Sequence, residues 1–424
     1  MQTGKKVTVL GLGKSGFQSA LFLKGKGYTV FVSELKDTEN VRRFASSLRE
    51  QGIECETGMH SMERILASDW LLLSPGISPA TPVYRAAFEK KIPLISEIEA
   101  ASWFCASRRI VAVTGSSGKT TVTTLLARVH EAAGLPVICC GNIGNPWIGE
   151  LAHIDEKTTV VLELSSFQLQ HCFTFAPRVG VLLNIAPNHQ DWHRDMTEYA
   201  EAKLRMFQNQ GPEDFAVIRA QDRKMLFPRY PFRGKVVCSD DQPAANPNYE
   251  AVRHTAAILG LPAEAVETVL RDFRGLEHRM ERVAVHQGIE YVNDSKSTTT
   301  ASLAWALNQY GDGKVLLIAG GIAKSSDYAD IRDLIARKAK AVFLIGKAVP
   351  VFREAWKGTV PIRECRDLGA AVDEASRAAA AGDTVLLSPA CSSFDMFQNY
   401  EHRGREFKRY VAELSCGAGA APRV

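Results

Sequence analysis

The chain has 424 residues, of which 46% are hydrophobic and 23% charged, with a formal net charge of +4. These values predict a globular protein with two or three domains, and the absence of like-charge runs argues against a nucleic-acid surface or a membrane-binding helix. Nine scattered cysteines without a CxxC spacing argue against a zinc site and a disulfide framework. No targeting or membrane-spanning segment is recognisable, so we expect a cytoplasmic protein.

Three short apolar, β-branched runs each lead into glycines: KVTVLGLG from Lys6, RIVAVTGSSG from Arg109 and KVLLIAGG from Lys314. Each run is typical of a buried parallel strand that enters a phosphate-sized turn. Further apolar runs alternate with amphipathic stretches, which predicts α/β domains with parallel sheets. We expect linkers between the three units near Pro93 and near Gly275.

The first glycine turn, GLGKSG, has the spacing of a dinucleotide-binding site. Gly11, Gly13 and Gly16 follow a predicted strand, and Glu34 lies about twenty residues further on, where an acid can bind a ribose. Taken alone, the pattern indicates an NAD site. A nucleotide-sugar diphosphate fits equally well, because backbone N–H groups at a helix N-terminus hold any diphosphate in the same way.

The second turn, TGSSGKTT, follows the strand IVAV and precedes a helix-compatible segment. This order places backbone N–H groups and a helix dipole around an anion. Gly118 permits close approach of the backbone, Lys119 supplies a cation for the β- and γ-phosphates, and the Thr120 hydroxyl suits Mg²⁺. Val113 stands where the general phosphate-binding loop has a glycine. We interpret the motif as a variant nucleoside triphosphate cradle.

Charged residues follow in three segments. Glu163 ends the apolar strand of VLELSSFQL, and we interpret it as a magnesium ligand, the alternative being a salt-bridged core acid. NIAPNHQDWH lacks the spacing of a zinc motif; His189 can reach the phosphates, whereas Asp191 and His193 are interpreted as structural. Lys203 lies on a partly apolar helical face, where a lysine is normally a surface residue.

The third unit offers polar groups at strand ends that suit a dicarboxylate. They lie in YVNDSKSTT, LLIAGGIAKSSDY and VLLSPACSSFDMF and comprise Asp294, Ser295, Lys296, Thr298, Lys324 and Ser393. Ser393 and neighbouring backbone donors stand at a predicted helix start, which suits a carboxylate. Ordinary helix caps and surface charges are the alternative interpretation.

Seven motifs resemble those of the Mur ligases, in the family's order and over nearly the whole chain: TGSSGKTT, LELSSFQL, NIAPNHQDWH, YAEAKLRMF, LEHRM, NDSKST and SPACSSFDMFQNYEHRGREF. GLGKSG and SPGISP are most similar to the member that joins D-glutamate to UDP-N-acetylmuramoyl-L-alanine. The resemblance implies an ATP-dependent, amide-bond-forming ligase of peptidoglycan synthesis, and so a role in cell wall biogenesis, cell shape and cell division. It implies an acyl-phosphate intermediate and a monomer.

The same resemblance implies three α/β domains. Residues 1–97 would form a Rossmann-like UDP-substrate-binding domain. Residues 98–275 would form a central P-loop-type ATP-binding domain. Residues 276–424 would form a Rossmann-like domain that binds the amino acid.

Roles for single residues are implied position by position. The catalytic residues would be Lys119, His189 and Lys203. Two Mg²⁺ ions would be held by Thr120, Glu163, His189 and Lys203, the last carbamylated by CO₂. ATP would be bound by Ser116, Ser117, Gly118, Lys119, Thr120, Thr121, Asn248, His278, Arg279 and Asp294. The UDP-substrate would be bound by Gly13, Lys14, Ser15, Gly16, Ser33, Glu34, Pro75, Gly76 and Asn142, and D-glutamate by Thr298, Lys324, Ser393 and Tyr400.

Some segments depart from the family pattern. The stretch that usually contacts adenine reads QPAANPN and retains only Asn248, NHQDWH replaces the more usual EDHxD, and Tyr400 stands where phenylalanine is common. Alternatives are a folylpolyglutamate or different Mur ligase, an NAD-dependent dehydrogenase, and a catalytically silent nucleotide-binding regulator. GLGKSG argues against the folate type, and a dehydrogenase leaves TGSSGKTT unexplained.

Overall fold

The computed structural model describes residues 4–186, 192–226, 232–238, 246–273, 275–323 and 328–416. The chain divides into two compact units, Met1–Phe273 and Arg274–Val424. Parallel strands flanked by helices make up most of both units, which confirms the predicted α/β class. Within the described ranges, no helix combines the length and the apolar character that crossing a membrane requires. The three domain boundaries given above stay predictions.

The N-terminal part of the first unit is a doubly wound parallel sheet. Its strands are β1 (Lys6–Leu10), β2 (Thr29–Glu34), β3 (Glu54–Thr57), β4 (Trp70–Leu73) and β5 (Leu94–Ser96). Its helices are α1 (Lys14–Gly25), α2 (Glu39–Glu50), α3 (Met62–Ile65), α4 (Pro82–Glu89) and α5 (Glu97–Ser102). The order β3-β2-β1-β4-β5 opens a crevice at the carboxyl ends of β1 and β4, where such sheets bind ligands. The segment near Pro93, where we expected a linker, forms β5 and α5.

A second parallel sheet completes this unit. Its strands are β6 (Ile110–Thr114), β7 (Val137–Gly141), β8 (Thr159–Glu163), β9 (Val179–Leu182), β10 (Phe215–Ile218) and β11 (Lys235–Cys238). Its helices are α6 (Lys119–Ala132), α7 (Trp147–Glu150), α8 (Ser166–Leu169), α9 (Met196–Leu204), α10 (Ala220–Leu226), α11 (Pro247–Ile258) and α12 (Ala263–Asp272), with 3₁₀ turns at Leu151–His153 and Arg205–Phe207. The order is β11-β10-β9-β6-β8-β7. The central strands are apolar and buried along their length because helices cover both faces.

Buried acids connect the two sheets of the first unit. The Glu99 carboxylate accepts hydrogen bonds from the backbone N–H groups of Phe173, Thr174 and Phe175 at 3.0, 2.9 and 3.0 Å. These donors replace the water that the carboxylate loses on burial. Glu99 therefore fixes α5 to the chain that follows α8.

Glu97 is a second buried acid, and its hydrogen bonding is incomplete. Its Oε1 accepts from the backbone N–H of Ile148 at 2.6 Å, and the N–H of Trp147 also donates to the carboxylate. Its Oε2 is buried without a partner among the described residues. Burial raises the pKa of Glu97 to about 7, because removal from water disfavours the charged form.

We expect Glu97 to lower the free energy of unfolding as the pH rises from 5 to 8. The folded-state pKa of about 7 exceeds the ordinary 4.5. The contribution of the protonated carboxyl to stability is therefore fully present below about pH 4.5 and is lost as the pH rises through 7. Glu97→Gln stays neutral at every pH. Its free energy of unfolding should be higher than that of wild type by up to about 3 kcal/mol at pH 8 and by under about 1 kcal/mol at pH 5. Urea unfolding at both pH values measures this. Exposed Glu131→Gln is the control, and an equal gap at both pH values would contradict the assignment.

The second unit is built on a mixed sheet. Its strands are β12 (Glu281–His286), β13 (Ile289–Asn293), β14 (Val315–Gly320), β15 (Ala339–Ile345), β16 (Ile362–Glu364) and β17 (Thr384–Leu387). Its helices are α13 (Thr300–Leu307), α14 (Arg332–Lys338), α15 (Val349–Ala355), α16 (Leu368–Ala378) and α17 (Tyr400–Cys416), with a 3₁₀ turn at Tyr328–Ile331. The order is β12-β13-β17-β14-β15-β16. β12 and β13 form an antiparallel hairpin, and the remaining neighbours are parallel.

A buried arginine ties α17 to the strand ends of this unit. Arg403 is fully buried and donates to the Ser295 hydroxyl at 3.0 Å. It also donates to the carbonyls of Ser295, Gly320 and Cys391 at 2.9, 3.3 and 3.1 Å. Burial lowers the pKa of Arg403 to about 10, so the guanidinium stays charged at neutral pH. It supports the turns after β13 and β14 and the segment that precedes α17.

Candidate active site

The GLGKSG turn lies between the carboxyl ends of β1 and β4. A Cβ on Gly16 would lie 2.0 Å from the Gly11 carbonyl oxygen, so only glycine lets α1 pass this closely. The Glu34 carboxylate accepts from the backbone N–H of Leu12 at 2.8 Å, which holds the turn open. Gly13 caps α1, and the buried Ser15 hydroxyl has no partner among the described residues. The turn is thus shaped for an anion at a helix N-terminus.

The other residues predicted to bind the UDP-substrate differ in accessibility. Ser33 is buried, and its hydroxyl donates to Glu56 at 2.5 Å and contacts His60 Nδ1 at 2.6 Å. Pro75 and Gly76 directly follow β4 at the same sheet edge. Lys14 reaches across to the segment after β7 and donates to the Gly144 carbonyl at 3.2 Å. The GLGKSG turn and the segment that contains Asn142 are therefore neighbours.

The TGSSGKTT turn is braced by two residues that the sequence did not single out. The Asn184 side chain, just after β9, accepts from the backbone N–H of Ser117 at 2.9 Å. The Tyr199 hydroxyl lies 3.0 Å from the Ser116 hydroxyl. Lys119 folds back and donates to the Gly115 carbonyl at 2.8 Å. Thr120 and Thr121 occupy the first turn of α6, as a phosphate-binding loop requires.

Gly118 and Asn248 lie against each other. Gly118 has φ +83°, and a Cβ there would lie 2.5 Å from Asn248 Oδ1. Asn248 stands in the first turn of α11, where Asn246 caps the helix. The retained asparagine of the altered adenine segment therefore contacts the phosphate loop itself.

Gly118→Ala is expected to weaken ATP binding by at least about tenfold, because the side chain both strains the left-handed backbone and displaces Asn248. Gly134→Ala is a matched control, since Gly134 has φ +67° with nothing within 4 Å of its Cβ position. The control should lose about 1 kcal/mol of stability and bind ATP normally. Isothermal titration of ATP measures both variants. Equal affinities would show that the contact with Asn248 is unimportant.

Glu163 ends β8 as a buried acid with one unsatisfied oxygen. It is 2% exposed, and its Oε1 accepts from Asn142 Nδ2 at 2.7 Å. Its Oε2 is buried without a partner among the described residues. β8 is hydrogen-bonded to β6, and Val113 of β6 pairs with Glu163 just before the phosphate loop. An orphaned carboxylate oxygen in this position fits a hard cation such as Mg²⁺.

Lys203 is buried beside the same loop. It is 1% exposed, and its Nζ donates to the Gly115 carbonyl at 3.0 Å and lies 4.6 Å from the centre of the Tyr199 ring. Burial, and then the charge of Lys119, hold the pKa of Lys203 well below its ordinary value. The surface position indicated by the helical pattern is therefore wrong. The amine is neutral at a pH where an exposed lysine is charged.

The histidine segment is only partly described. His193 is buried, and its Nε2 lies 2.9 Å from the Ser166 hydroxyl, which fits a structural residue. Asn188, His189 and Asp191 lie outside the described residues.

In the second unit, LEHRM forms a turn with left-handed backbone at His278 and Met280, with φ +63° and +47°. The Asp294 carboxylate holds this turn by accepting from the backbone N–H of Met280 at 3.2 Å and from the Ser388 hydroxyl at 2.9 Å. Burial raises the pKa of Asp294 to about 6. The half-buried Arg279 lies between the two left-handed residues, and its Nε is buried without a partner among the described residues.

The groups predicted to bind D-glutamate lie partly around this turn. The Tyr400 ring packs edge-on against His278 with centroids 6.2 Å apart, and Lys296 lies 5.7 Å from the Tyr400 ring centre. Ser393 is buried and Thr298 half-buried. Lys324 lies outside the described residues.

The site combines two glycine turns at helix N-termini with a buried acid and a buried lysine at the edge of a parallel sheet. This is the arrangement of a nucleotide-dependent enzyme. The chain belongs to the Mur ligase family. The family model of the MurD-like N-terminal domain matches residues 5–96, that of the Mur ligase middle domain residues 113–255, and that of the Mur ligase glutamate ligase domain residues 278–391. The chain is therefore a ligase by family, and the dehydrogenase interpretation of GLGKSG is wrong.

Curated relatives align along nearly the whole chain. The UDP-N-acetylmuramoylalanine--D-glutamate ligase of Desulfovibrio desulfuricans is 38% identical over 427 residues, which cover 98% of each chain. The enzyme of the same name from Chloroherpeton thalassium is 36% identical over 464 residues, covering 97% of this chain and 98% of the relative.

Solved structures show the same fold at low identity. The UDP-N-acetylmuramate-alanine ligase MurC of Thermotoga maritima superposes with a TM-score of 0.56 at 18% identity, covering 96% of this chain and all of its own. The MurF ligase of Thermotoga maritima in complex with ADP gives 0.55 at 14% identity, with coverage of 97% and 96%.

Proposed function

We propose that this chain joins D-glutamate to UDP-N-acetylmuramoyl-L-alanine with ATP, in the cytoplasm and as a monomer, as a step of peptidoglycan synthesis. The observation that carries the proposal is the convergence of three groups on one glycine turn: Lys119, the unpartnered Oε2 of Glu163, and the buried Lys203, whose pKa burial lowers. The proposed substrates are those named for relatives that are 36–38% identical over nearly the full length.

ATP would lie on the TGSSGKTT turn, with its phosphates on the N-terminus of α6. Ser116, Ser117 and Gly118 offer backbone N–H groups there, and Lys119 offers its ammonium once it swings away from the Gly115 carbonyl. Asn248 lies beside Gly118 and would hold the nucleotide at the loop. Thr121 would add a hydroxyl, and in the second unit His278, Arg279 and Asp294 would complete ATP binding.

Two Mg²⁺ ions fit the donors present. Oε2 of Glu163 and the Thr120 hydroxyl are hard oxygen ligands, and His189 and a carbamate on Lys203 would supply the rest. A neutral lysine amine attacks CO₂ with loss of a proton, which forms an N–C bond and an anionic carbamate. The metal would neutralise charge on the phosphoryl group during transfer.

The chain's own residues would carry the remaining steps. The muramoyl-L-alanine carboxylate, held next to the γ-phosphate by Asn142 and the GLGKSG turn, attacks in line, and ADP leaves. Lys119 stabilises the charge that develops on the transferred group. The D-glutamate amine, positioned by Thr298, Lys324, Ser393 and Tyr400, then attacks the acyl phosphate, and inorganic phosphate leaves. His189 and the Lys203 carbamate are the two candidates for accepting the amine proton.

Recognition of the UDP part would rest on the first sheet. Gly13, Lys14, Ser15 and Gly16 would hold the diphosphate on the N-terminus of α1. Pro75 and Gly76 would border it from the end of β4. Glu34 and Ser33 stand at the end of β2, where a ribose or uracil would lie.

The test is phosphate release from ATP with UDP-N-acetylmuramoyl-L-alanine and bicarbonate, in the presence of D-glutamate, L-glutamate or no amino acid. We expect release that depends on D-glutamate, with a product heavier by one glutamyl residue in mass spectrometry. Release with neither glutamate would refute the proposed substrate and leave a ligase for another amino acid. Nucleotide binding without any turnover would indicate a catalytically silent protein.

A further inference from the structure

A cavity of about 650 Å³ lies in the first unit, and none of its lining residues has a role in the proposed reaction. It is bordered by the end of α4, the start of β5, the chain after α8, and Arg205. This volume is within the range of small-molecule sites, about 300–1,000 Å³. The cavity also lies where the two sheets of the unit meet, which is a preferred position for such sites. We name it the Phe88 cavity.

The walls of the Phe88 cavity are largely aromatic and aliphatic. The rings of Tyr84 and Phe88 are nearly parallel, with centroids 6.5 Å apart and an angle of 10°. Phe88 is 68% exposed and Phe173 is 47% exposed, although large aromatic side chains are usually covered. Ile92 and Leu94 add aliphatic surface. Clustered exposed rings that line a cavity indicate a surface that binds a flat apolar group.

Arg205 brings a charge into this apolar setting. Its side chain is half-buried, and its guanidinium lies 5.9 Å from the centre of the Phe173 ring. Neither a hydrogen bond nor an ion pair of its side chain occurs within the described part of the chain. The planar, paired N–H donors of this guanidinium are therefore available to a ligand, and they match a carboxylate.

Other lining groups support an anionic ligand. Gln170 accepts from Trp192 Nε1 through its Oε1 at 3.3 Å, so its amide N–H₂ remains as a donor. Lys91 adds a second cation, against the single carboxylate of Glu89 among the described lining residues. Burial, and then the charge of Arg205, lower the pKa of His171 to about 4, so its ring is neutral at pH 7 and packs edge-on against Tyr84.

We propose that the Phe88 cavity binds a small aromatic carboxylate, with the ring between Phe88 and Phe173 and the carboxylate on Arg205 and Gln170. The apolar walls oppose a strongly hydrated polyphosphate, whose desolvation they would not repay. A neutral aromatic compound would leave the Arg205 donors unsatisfied. A flat ring that carries one carboxylate satisfies both.

Binding of 2-naphthoate to the full-length protein tests this, by isothermal titration and ligand-observed NMR. We expect one saturable site that persists in the presence of saturating ATP and UDP-N-acetylmuramoyl-L-alanine. Arg205→Met should weaken binding by about tenfold or more, because a charge-assisted hydrogen bond is lost. The uncharged analogue 2-naphthalenemethanol should bind wild type more weakly by a similar factor. Arg366→Gln, at a position 86% exposed in the other unit, should leave binding unchanged.

Phe88→Ser provides an independent variant, since so exposed a side chain is dispensable for folding. It should weaken 2-naphthoate several-fold while the unfolding temperature stays that of wild type. The proposal is overturned if no saturable binding occurs, if the nucleotides displace the probe, or if Arg205→Met and Phe88→Ser both bind like wild type. Equal affinity for 2-naphthalenemethanol would overturn the assignment of the carboxylate to Arg205.

Discussion

Replacing Lys119 by methionine is expected to lower kcat by about 10³-fold with D-glutamate present, while the protein stays folded. Methionine keeps much of the lysine stem but cannot place a positive charge on the transferred phosphoryl group. In the structure, Lys119 donates to the Gly115 carbonyl at 2.8 Å, so the ammonium is already held within the loop. Binding of ATP would replace this carbonyl with a phosphate as the partner of the ammonium.

Two comparisons make this experiment specific. Lys157→Met alters an exposed lysine in the turn before β8 and should leave kcat unchanged. Steady-state kinetics with varied ATP separates binding from chemistry, because a residue that acts in the transition state lowers kcat and kcat/KM together. A rise in KM for ATP with kcat preserved would show that Lys119 only binds the ground state.

Local patterns predicted the strand, glycine turn and helix of TGSSGKTT correctly. An apolar strand, a glycine turn and a helix start follow one another along the chain, so β6, Gly118 and α6 could be recognised without tertiary information. Glu163 was placed at a strand end for the same reason, since an acid that ends an apolar run is visible in the sequence. The strand, the turn, the helix and the acid at a strand end are all defined by residues that are adjacent in the sequence, so the sequence pattern is sufficient to predict them.

The bracing of the site depends on distant neighbours, and the sequence did not reveal it. Asn184 and Tyr199 contact the phosphate loop from 67 and 83 residues away. Asn184 lies two residues after β9, and a polar residue near a strand end was the available signal. Arg403 lies in RGREF and is fully buried, although arginine is mostly exposed in proteins. Four hydrogen bonds, one to a hydroxyl and three to carbonyls, compensate its burial, and no local pattern encodes them.

Lys203 shows the same limit most clearly. The helical period correctly placed Lys203 and Tyr199 on one face of the helix. Periodicity alone does not show whether that face is exposed to solvent or packed against the end of a strand. In the fold, the face packs onto the turn after β6 and buries the amine. Only the resemblance to Mur ligases indicated that this lysine is functional.

Lys203→Met is accordingly expected to lower kcat by about 10³-fold, comparable to the loss of an interaction that stabilises charge on a metal-bound phosphoryl group. Methionine fills the same buried space, so we expect an unfolding temperature close to that of wild type. Lys224→Met, at an exposed position on α10, is the control. Retention of most activity by Lys203→Met would eliminate this side chain from the reaction.

The chemical state of Lys203 can be tested apart from activity. Burial lowers the pKa of the Lys203 amine, which favours the neutral form that captures CO₂. With ¹³C-bicarbonate, wild type and Lys224→Met should show a carbamate carbon signal that Lys203→Met lacks. Lys119→Met removes the second cause of the lowered pKa of Lys203, whereas burial, the larger cause, remains, so we expect the variant to keep a carbamate signal. Wild-type activity that is unaffected by removal of CO₂, together with no carbamate signal, would show that Lys203 acts as an amine.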